Sequence, residues 1–267
     1  MTEVLYIQSK DNPQLKKLRR LVQDTLAYRK EQQCWVEGEH LCRAALDRGW
    51  KPHWAVFSES FWQTRAQAWA TCASKNLVAP DAVFKSFSAL ESLYSFGFVF
   101  DLPDSLAIDP NAATLLLDRV QDAGNVGSML RSAAAFGFRQ VLALKGTAGL
   151  WSSKVLRAGM GAHFGLQLIE GVSLQSVQGL QIPIITTSSH QGQPLHELPL
   201  PFPCVWVMGH EGQGVAPELA GLSNLQAQIA QPGGQDYLNV AAAAAICLYA
   251  SATSPEALAY VQSVSTV

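Results

Sequence analysis

The sequence has little net charge, no cysteine pair with metal-binding spacing and no long apolar segment, and each absence argues against a class of protein. Its 19 basic and 21 acidic residues nearly balance, so any surface for an anionic polymer must be local. The five cysteines include no CxxC pair, which argues against a structural zinc site and against a framework of disulfides. The longest uncharged apolar run, Val240 to Ala252, is too short to span a bilayer.

The N-terminus and the cysteines indicate the compartment. Met1 to Asp11 carries charges and has no apolar centre, so we do not expect a signal peptide. An odd number of cysteines without paired spacing is typical of a reducing environment. We therefore expect a cytoplasmic protein that uses neither a metal nor a membrane.

The signature loops of several enzyme classes are also absent. There is no GxxxxGK[ST] loop for phosphoryl transfer, and neither GxSxG nor HExxH occurs. Gly209 to Gly214 has the order GxxGxG and follows a late strand, which argues against a Rossmann fingerprint and hence against an NAD-linked oxidoreductase. At 267 residues and 48% hydrophobic, the chain can form a sizeable core, divided between one large and one small domain.

Two glycine-rich turns mark the expected site. Cys204 to Met208 is a short apolar run before Gly209, typical of a strand buried on both faces. Its turn carries Gly209, Gly212 and Gly214, which let the backbone come close to a ligand. A second turn, at residues 232–234, follows the run from Gln226 to Ala230. Because the carboxyl ends of parallel strands meet at one edge of a sheet, we expect the chemistry there.

The chain divides into three parts. Residues 1–101 read as a small α/β domain, and the proline-containing stretch 102–112 reads as a linker. Residues 113–267 alternate strands and helices, which predicts βαβ units and a parallel sheet.

A basic helix is predicted near the N-terminus. Asn12-Pro13 is a typical helix start, and the buried face is predicted to carry Leu15, Leu18, Leu21, Val22 and Leu26. Lys16, Arg19 and Arg20 share a neighbouring side. These cations form either a solvated face or a patch that contacts phosphates, and the sequence leaves both readings open.

A second informative helix follows the strand Thr114 to Leu117. Its apolar stripe is formed by Val126, Met129, Leu130 and Ala133. Asn125 and Arg131 fall on the polar face, where they can hold a ribose or a phosphate or can simply be exposed.

The C-terminal region resembles one family, the SpoU (TrmH-like) ribose 2′-O-methyltransferases of RNA, within the SPOUT superfamily. Residues 115–138, LLLDRVQDAGNVGSMLRSAAAFGF, resemble its first motif, with the asparagine at Asn125 and the arginine at Arg131. Residues 207–215, VMGHEGQGV, resemble its GxEGxG turn, with the glutamate at Glu211.

The last motif extends the match. Residues 229–245 resemble it, with its Leu-Asn-Val at residues 238–240, and the stretch 156–164 also looks familial. Together these segments cover most of residues 113–252 in the family's order. Residues 7–57 resemble, less closely, the L30e-like RNA-binding domain of such enzymes.

The resemblance implies an architecture, a cofactor and partners. It implies a C-terminal α/β knot, a trefoil-knotted, mainly parallel sheet with helices on both faces, and a small N-terminal L30e-like α/β domain. It implies S-adenosyl-L-methionine as cofactor, a homodimer joined through the C-terminal domain, and RNA as substrate. The resemblance of the N-terminal domain is the one reason to favour ribosomal RNA over transfer RNA. It does not predict which nucleotide is methylated.

Site residues are carried over by position. The resemblance implies a catalytic set of Arg131, Asn125, Glu211 and Asn239. It implies a cofactor-binding set of Thr187, Gly209, Gly214, Ile229 and Leu238. The predicted RNA contacts are Lys16, Arg19, Arg20 and Arg157.

The reaction is compatible with these roles. Methyl transfer from a sulfonium to a ribose hydroxyl is an in-line displacement that requires no metal, and the weakly nucleophilic hydroxyl must be aligned. A guanidinium has a reference pKa above about 12, so we expect Arg131 to stabilise the developing alkoxide rather than to act as a base. Asn125 would position the substrate, while Glu211 would fix the arginine or a turn.

Four positions depart from the family pattern. They are His210, where Asn or Ser is common, Ala230 for proline, and Tyr237 and Ala241 for serines. Tyr237 can replace the serine hydroxyl or obstruct the site, which leaves open a catalytically weak RNA-binding relative. A tRNA ribose methyltransferase is a further alternative.

The last helix, from about Leu238, is apolar nearly all round and must be covered on all sides. One βαβ layer covers one side, so a second subunit is expected on the other. Ala244 is predicted to lie on that outward side.

Overall fold

The computed structural model describes residues 2–9, 11–88, 95–104, 106–188, 191–233 and 238–264. Tyr237, whose role the sequence left open, lies outside the described residues. The chain forms two compact units: the first combines Met1–Asp104 with Trp151–Phe164, and the second combines Ser105–Leu150 with Gly165–Val267. The sequence analysis predicted two domains, residues 1–101 and 113–267, joined by a linker, and so placed residues 151–164 in the C-terminal domain rather than in the first unit.

The first unit is built on a five-stranded mixed sheet. Its strands are β1 (Glu3–Tyr6), β2 (Gln33–Glu37), β3 (Trp54–Ser58), β4 (Lys75–Ala79) and β5 (Phe96–Asp101). They lie in the order β1-β4-β3-β5-β2, with β1, β4 and β3 parallel and β5 antiparallel to both of its neighbours. Nearly every residue of β2, β3 and β5 is buried, so these three strands form the centre of the small α/β domain that the sequence predicted.

Five helices connect these strands: α1 (Pro13–Gln23), α2 (Ala27–Glu31), α3 (Glu39–Asp47), α4 (Glu59–Arg65) and α5 (Asp81–Lys85). Helix α1 begins as predicted, because the Asn12 side chain accepts a hydrogen bond from the Gln14 N–H and proline occupies the first turn. Its buried residues are Leu15, Leu18 and Leu21. The prediction that Leu26 is buried is wrong: α1 ends before it and leaves its side chain 48% exposed.

The segment Trp151–Phe164 packs with the first unit through aromatic contacts. The Trp50 ring lies 5.5 Å from that of Trp151 and 5.3 Å from that of Phe164, and its Nε1 donates to the Phe164 carbonyl. The Ser153 hydroxyl also donates to the carbonyl of Val22. Aromatic contacts of this kind add to the stabilisation from buried apolar area. They explain why residues 151–164 belong to the first unit, although the residues directly before and after them belong to the second.

The second unit is a seven-stranded parallel sheet. Its strands are β6 (Thr114–Leu117), β7 (Gln140–Leu144), β8 (Gln167–Val172), β9 (Ile184–Thr187), β10 (Gln193–Pro194), β11 (Val205–Met208) and β12 (Leu225–Gln228). The order is β10-β12-β9-β11-β6-β7-β8, and every neighbouring pair is parallel. The predicted parallel α/β architecture is confirmed.

The remaining helices are α6 (Ala123–Ala135), α7 (Ser153–Gly159, in the first unit), α8 (Leu174–Gln178), α9 (Pro217–Ala220), α10 (Val240–Ala252) and α11 (Pro255–Val264). Val205 and Val207 of β11 pack in one cluster with Val177 of α8 and Leu219 of α9. The intervening Trp206 points to the opposite face, where its Nε1 donates to the Ser251 hydroxyl of α10. Helices therefore cover both faces of this sheet.

Helix α10 is only partly covered within the chain. Ala244, Cys247, Leu248 and Ser251 are buried, whereas Ile246 is 41% and Tyr249 57% exposed. The prediction that Ala244 faces outward is wrong, because the side of α10 that packs against α6 and β11 includes it. Ile246 and Tyr249 therefore leave apolar surface exposed on α10.

Candidate active site

A pocket of about 640 Å³ opens at the carboxyl ends of three adjacent strands of the second unit. Thr187 ends β9, Gly209 follows β11, and Ile229 follows β12. Leu238 and Asn239, the two residues directly before α10, also line the pocket. The volume is within the usual range for a small-molecule site. The edge of the sheet predicted from the two turns is therefore where this pocket lies.

The predicted cofactor set lines this one pocket. Its members are Thr187, Gly209, Gly214, Ile229 and Leu238. Glu211 and Asn239 of the predicted catalytic set line it as well. The roles of these residues stay predictions, but residues as far apart in sequence as Thr187 and Asn239 line one cavity.

Gly209 is required by a close approach of the backbone. A Cβ built there would lie 2.3 Å from the carbonyl carbon of Gly214 and from the nitrogen of Val215. His210 and Gly214 exchange backbone hydrogen bonds of 3.1 and 2.9 Å, which close the turn on itself. The φ of Gly214 is +70°, a conformation that glycine adopts without strain.

His210, one of the departures from the family pattern, stabilises the same turn. Its Nδ1 accepts hydrogen bonds from the N–H groups of Gly212 at 3.0 Å and Gln213 at 3.2 Å. An asparagine or serine oxygen can accept the same bonds. The histidine therefore supplies the acceptor that this position needs.

The Glu211 carboxylate is held by the loop that follows β6. It accepts hydrogen bonds of 3.2 Å from the N–H groups of Gln121 and Asp122 and from the side-chain amide of Asn125. Burial by itself would raise the pKa of Glu211, but the hydrogen bonds from its own N–H, Asn125 and the loop outweigh it and lower the pKa from its ordinary value. Glu211 is therefore an ionised group whose carboxylate joins the glycine-rich turn to the loop after β6.

Asn125 and Asn239 extend this network. The Asn239 Nδ2 donates to the Asn125 Oδ1 at 3.0 Å, and the Asn239 Oδ1 accepts from the N–H groups of Ala241 and Ala242 at the start of α10. Asn125 itself is held at the start of α6, where its N–H donates to the Asp122 side chain at 2.7 Å. A chain of hydrogen bonds thus runs from Glu211 through Asn125 to Asn239.

Arg131 does not line the pocket. It lies on α6 six positions after Asn125, roughly 9 Å along the helix axis, and its side chain is exposed. The predicted RNA contacts lie in the first unit: Lys16, Arg19 and Arg20 are on α1, and Arg157 is exposed on α7. The structure therefore brings together three of the four predicted catalytic residues.

Sequence reasoning missed two residues next to the pocket. The sequence analysis assigned no role to Asp118 or Arg119, yet the structure joins both to the glycine-rich turn. The signal available was a charged residue directly after a fully apolar strand, since a buried carboxylate must find partners.

Comparisons with known proteins decide the family. Residues 112–249 match the model of the SpoU rRNA Methylase family, which is more than half of the chain. The chain belongs to the SpoU rRNA methylase family. A 23S rRNA (guanosine(2553)-2′-O)-methyltransferase of Bacillus subtilis (strain 168) is 30% identical to this SpoU chain over 80% of its length and 86% of that protein.

Solved structures agree with the SpoU fold. An rRNA methyltransferase of Sinorhizobium meliloti with bound AdoMet (S-adenosylmethionine) has a TM-score of 0.81 and 25% identity, covering 93% of this chain and 97% of that one. An RNA 2′-O ribose methyltransferase has a TM-score of 0.75 and 26% identity, covering 92% and 98%. SpoU methyltransferases use S-adenosylmethionine.

The pocket residues of this SpoU chain fit that cofactor. Ile229, Leu238 and Val215 offer apolar surface to a purine, while Thr187 and main-chain groups offer hydrogen bonds. Because residue 209 is glycine, the backbone itself rather than a side chain faces the pocket there. The ionised Glu211 beside the pocket is compatible with a sulfonium cation. Among the described residues, no cluster of metal-ligating side chains occurs and no helix has the length and apolar character to cross a membrane.

Proposed function

We propose that this chain methylates a ribose 2′-hydroxyl of RNA, with ribosomal RNA favoured over transfer RNA as substrate. The observation that carries the proposal is the hydrogen-bonded series Glu211–Asn125–Asn239, whose two ends, Glu211 and Asn239, line the pocket. It places two amide side chains beside a site that fits S-adenosylmethionine. The B. subtilis relative, named as a 23S rRNA 2′-O-methyltransferase, supports the choice of RNA.

Asn125 is suited to orient the ribose. An asparagine side chain has two N–H donors and two acceptor lone pairs, and the contacts to Glu211 and Asn239 use one of each. The remaining donor and acceptor can hold a sugar hydroxyl, while the two contacts hold the amide in one orientation. Such a displacement requires the weak nucleophile to be aligned with the methyl group, and positioned side chains can supply that alignment. S-adenosylmethionine, when bound, supplies the methyl group.

Arg131 acts on the pocket of a second protomer in this proposal. Its distance from Asn125 along α6 and its exposed side chain support an action outside its own pocket. Exposed apolar side chains on α10 and α11, including Ile246, Tyr249 and Leu258, support a homodimer through this unit. At the partner's pocket, the guanidinium would stabilise negative charge on the attacking oxygen.

The remaining features of the family are proposed in the same way. The order of the sheet and the course of the C-terminal segment are compatible with a trefoil knot, which we include in the proposal. We also propose that the protein is cytoplasmic, which the five free cysteine thiols support. The first unit would bind RNA, although Lys16 and Arg20 form ion pairs with Asp11 and Glu31 at 3.0 and 2.9 Å.

A catalytically weak RNA-binding relative is the second candidate. The His210 contacts speak against it, because the departure from the family pattern preserves the hydrogen bonds of the turn. Ribose methylations mapped in the RNA of a deletion strain, with and without the wild-type chain restored, test the proposal. We expect one or a few sites to vanish and return. RNA binding without cofactor binding in titration, with every methylation still present in the deletion strain, would instead favour the second candidate.

A further inference from the structure

Asp118 holds the chain on both sides of the glycine-rich turn. Its N–H donates to the Met208 carbonyl at 2.8 Å, directly before the turn, and its Oδ2 accepts from the Ala216 N–H at 2.7 Å, directly after it. The carboxylate is only 1% exposed. Because a buried carboxylate is unfavourable without partners, Asp118 ties residues 208 and 216 together at a set spacing.

Arg119 covers this carboxylate and reaches into the turn. Its Nε and Nη2 donate to Asp118 Oδ1 at 2.7 Å and Oδ2 at 3.0 Å, and its Nη1 donates to Gln213 Oε1 at 3.0 Å. Hydrogen bonds and the charge of Asp118 raise the pKa of Arg119 from its ordinary value. A guanidinium can fork across a carboxylate and still donate elsewhere, which an ammonium cannot do in the same geometry.

The backbone of Arg119 adopts an unfavourable conformation to make these contacts. Its φ is +58°, in the left-handed region that residues with a Cβ rarely occupy. Gly146 leaves the space for the side chain, since a Cβ there would lie 3.2 Å from the Arg119 Cγ. Strain of this kind persists where the surrounding contacts determine it and is frequent at functional sites.

We infer that Asp118 and Arg119 form a clamp that sets the shape of the glycine-rich turn and thereby the affinity for S-adenosylmethionine. Both are positioning residues: Asp118 fixes the two ends of the turn, and Arg119 fixes its middle through Gln213, which lines the pocket. The inference rests on the proposed assignment of this pocket to the cofactor.

The test uses variants that separate the clamp from charge and fold. Arg119→Lys keeps the positive charge beside Asp118 and the same backbone strain but cannot form the fork. Gln213→Ala removes the acceptor in the turn, whereas Gln213→Glu retains an acceptor for Arg119. The readouts are deuterium exchange of the amides of residues 209–216, with α6 as internal reference, and calorimetric titration with S-adenosylhomocysteine.

We expect faster exchange in the turn and an affinity about three- to tenfold lower for Arg119→Lys and for Gln213→Ala. The double variant should be no weaker than the weaker single variant, since both act through one contact. Gln213→Glu should keep the exchange of the turn close to that of the wild type, because the acceptor for Arg119 remains.

Wild-type exchange and affinity in Arg119→Lys would overturn the clamp, as would exchange that rises equally in α6. A wild type that binds no S-adenosylhomocysteine, while its turn still responds to Arg119→Lys, would support the clamp and refute the cofactor assignment.

Discussion

The side-chain amide of Asn239 donates to the side-chain carbonyl of Asn125 at 3.0 Å, across 114 positions of sequence. The same Asn239 side chain caps α10 through its oxygen. Asn239 thus joins the start of α10 to Asn125, the residue proposed to orient the ribose.

These two contacts of Asn239 can be separated by mutation. Asn239→Asp keeps the capping oxygen but replaces the donor that faces Asn125 with a second acceptor. We expect its methyl transfer to fall at least about tenfold, with a free energy of unfolding close to that of the wild type. Asn239→Ala should lose activity and also about 1 kcal/mol of stability, because the cap is gone. Denaturant unfolding and methyl transfer to RNA measure both effects. Equal activity of Asn239→Asp and the wild type would contradict the role.

Glu211 makes the stability depend on pH in a defined window. Its pKa in the folded state is lower than the ordinary value of 4.5, so its contribution is present above pH 4.5 and is lost as the pH falls through the folded-state pKa. We expect Glu211→Gln to be less stable than the wild type at neutral pH, with the difference narrowing below pH 4.5. Urea unfolding of both proteins across this range is the measurement. A difference that stays constant down to acid pH would show that the carboxylate does not hold the loop as a charge.

Gly209 and Gly212 form a matched pair within one turn. Gly209→Ala places a Cβ 2.3 Å from backbone atoms of Gly214 and Val215, so the turn must shift. At Gly212 a Cβ meets only ring atoms of His210 at 3.8 Å, an ordinary contact. Overpacking typically costs about 1–3 kcal/mol, so we expect Gly209→Ala to bind S-adenosylhomocysteine about tenfold or more weakly and Gly212→Ala nearly normally. Similar affinities in calorimetry would argue against the close approach.

Arg131 can be tested in mixed dimers. Arg131→Ala should be inactive alone, and Gly209→Ala should retain about a tenth or less of the wild-type activity when S-adenosylmethionine is kept below its wild-type Kd. In a co-expressed mixture, the mixed dimer would contain one complete site, made of the intact pocket of one protomer and the Arg131 of its partner. Random pairing then gives about a quarter of the wild-type activity. No recovery, in a preparation whose dimers are confirmed by sedimentation, would place Arg131 at its own pocket or at none.

The basic face of α1 can be tested through salt dependence. Replacing Lys16, Arg19 and Arg20 by alanine should weaken RNA binding and reduce the log–log salt slope by about one unit or less for each phosphate that the variant no longer neutralises. Replacing Arg48, Lys51 and Lys85, which are also exposed in the first unit, removes the same charge elsewhere. An equal change of slope in both triple variants would show a nonspecific effect of net charge. An unchanged slope in the first would leave the α1 cations as a solvated face.

The amino-acid sequence by itself determined the elements whose signals are local. The apolar runs at Thr114–Leu117 and Val205–Met208 form strands because they are long enough and bounded by turn residues. Asn12 and Pro13 begin α1 because capping depends only on neighbouring residues. The family motifs also pointed to Asn125, Glu211 and Asn239, because a motif shared by a family marks positions that its common fold brings together.

Tertiary structure alone decided which side of each element is covered. Ala244 was assigned to the wrong side of its helix because burial depends on the packing partner, which periodicity does not identify. Leu26 was assigned to the buried face of α1, but the helix ends at Gln23. Residues 151–164 joined the first unit through Trp50, a contact across about a hundred positions that no local pattern records. Asp118 and Arg119 reach the turn at Gln213 and Ala216 only once β6 and β11 are paired, because a hydrogen bond needs two groups within about 3 Å, and only the folded chain brings them there.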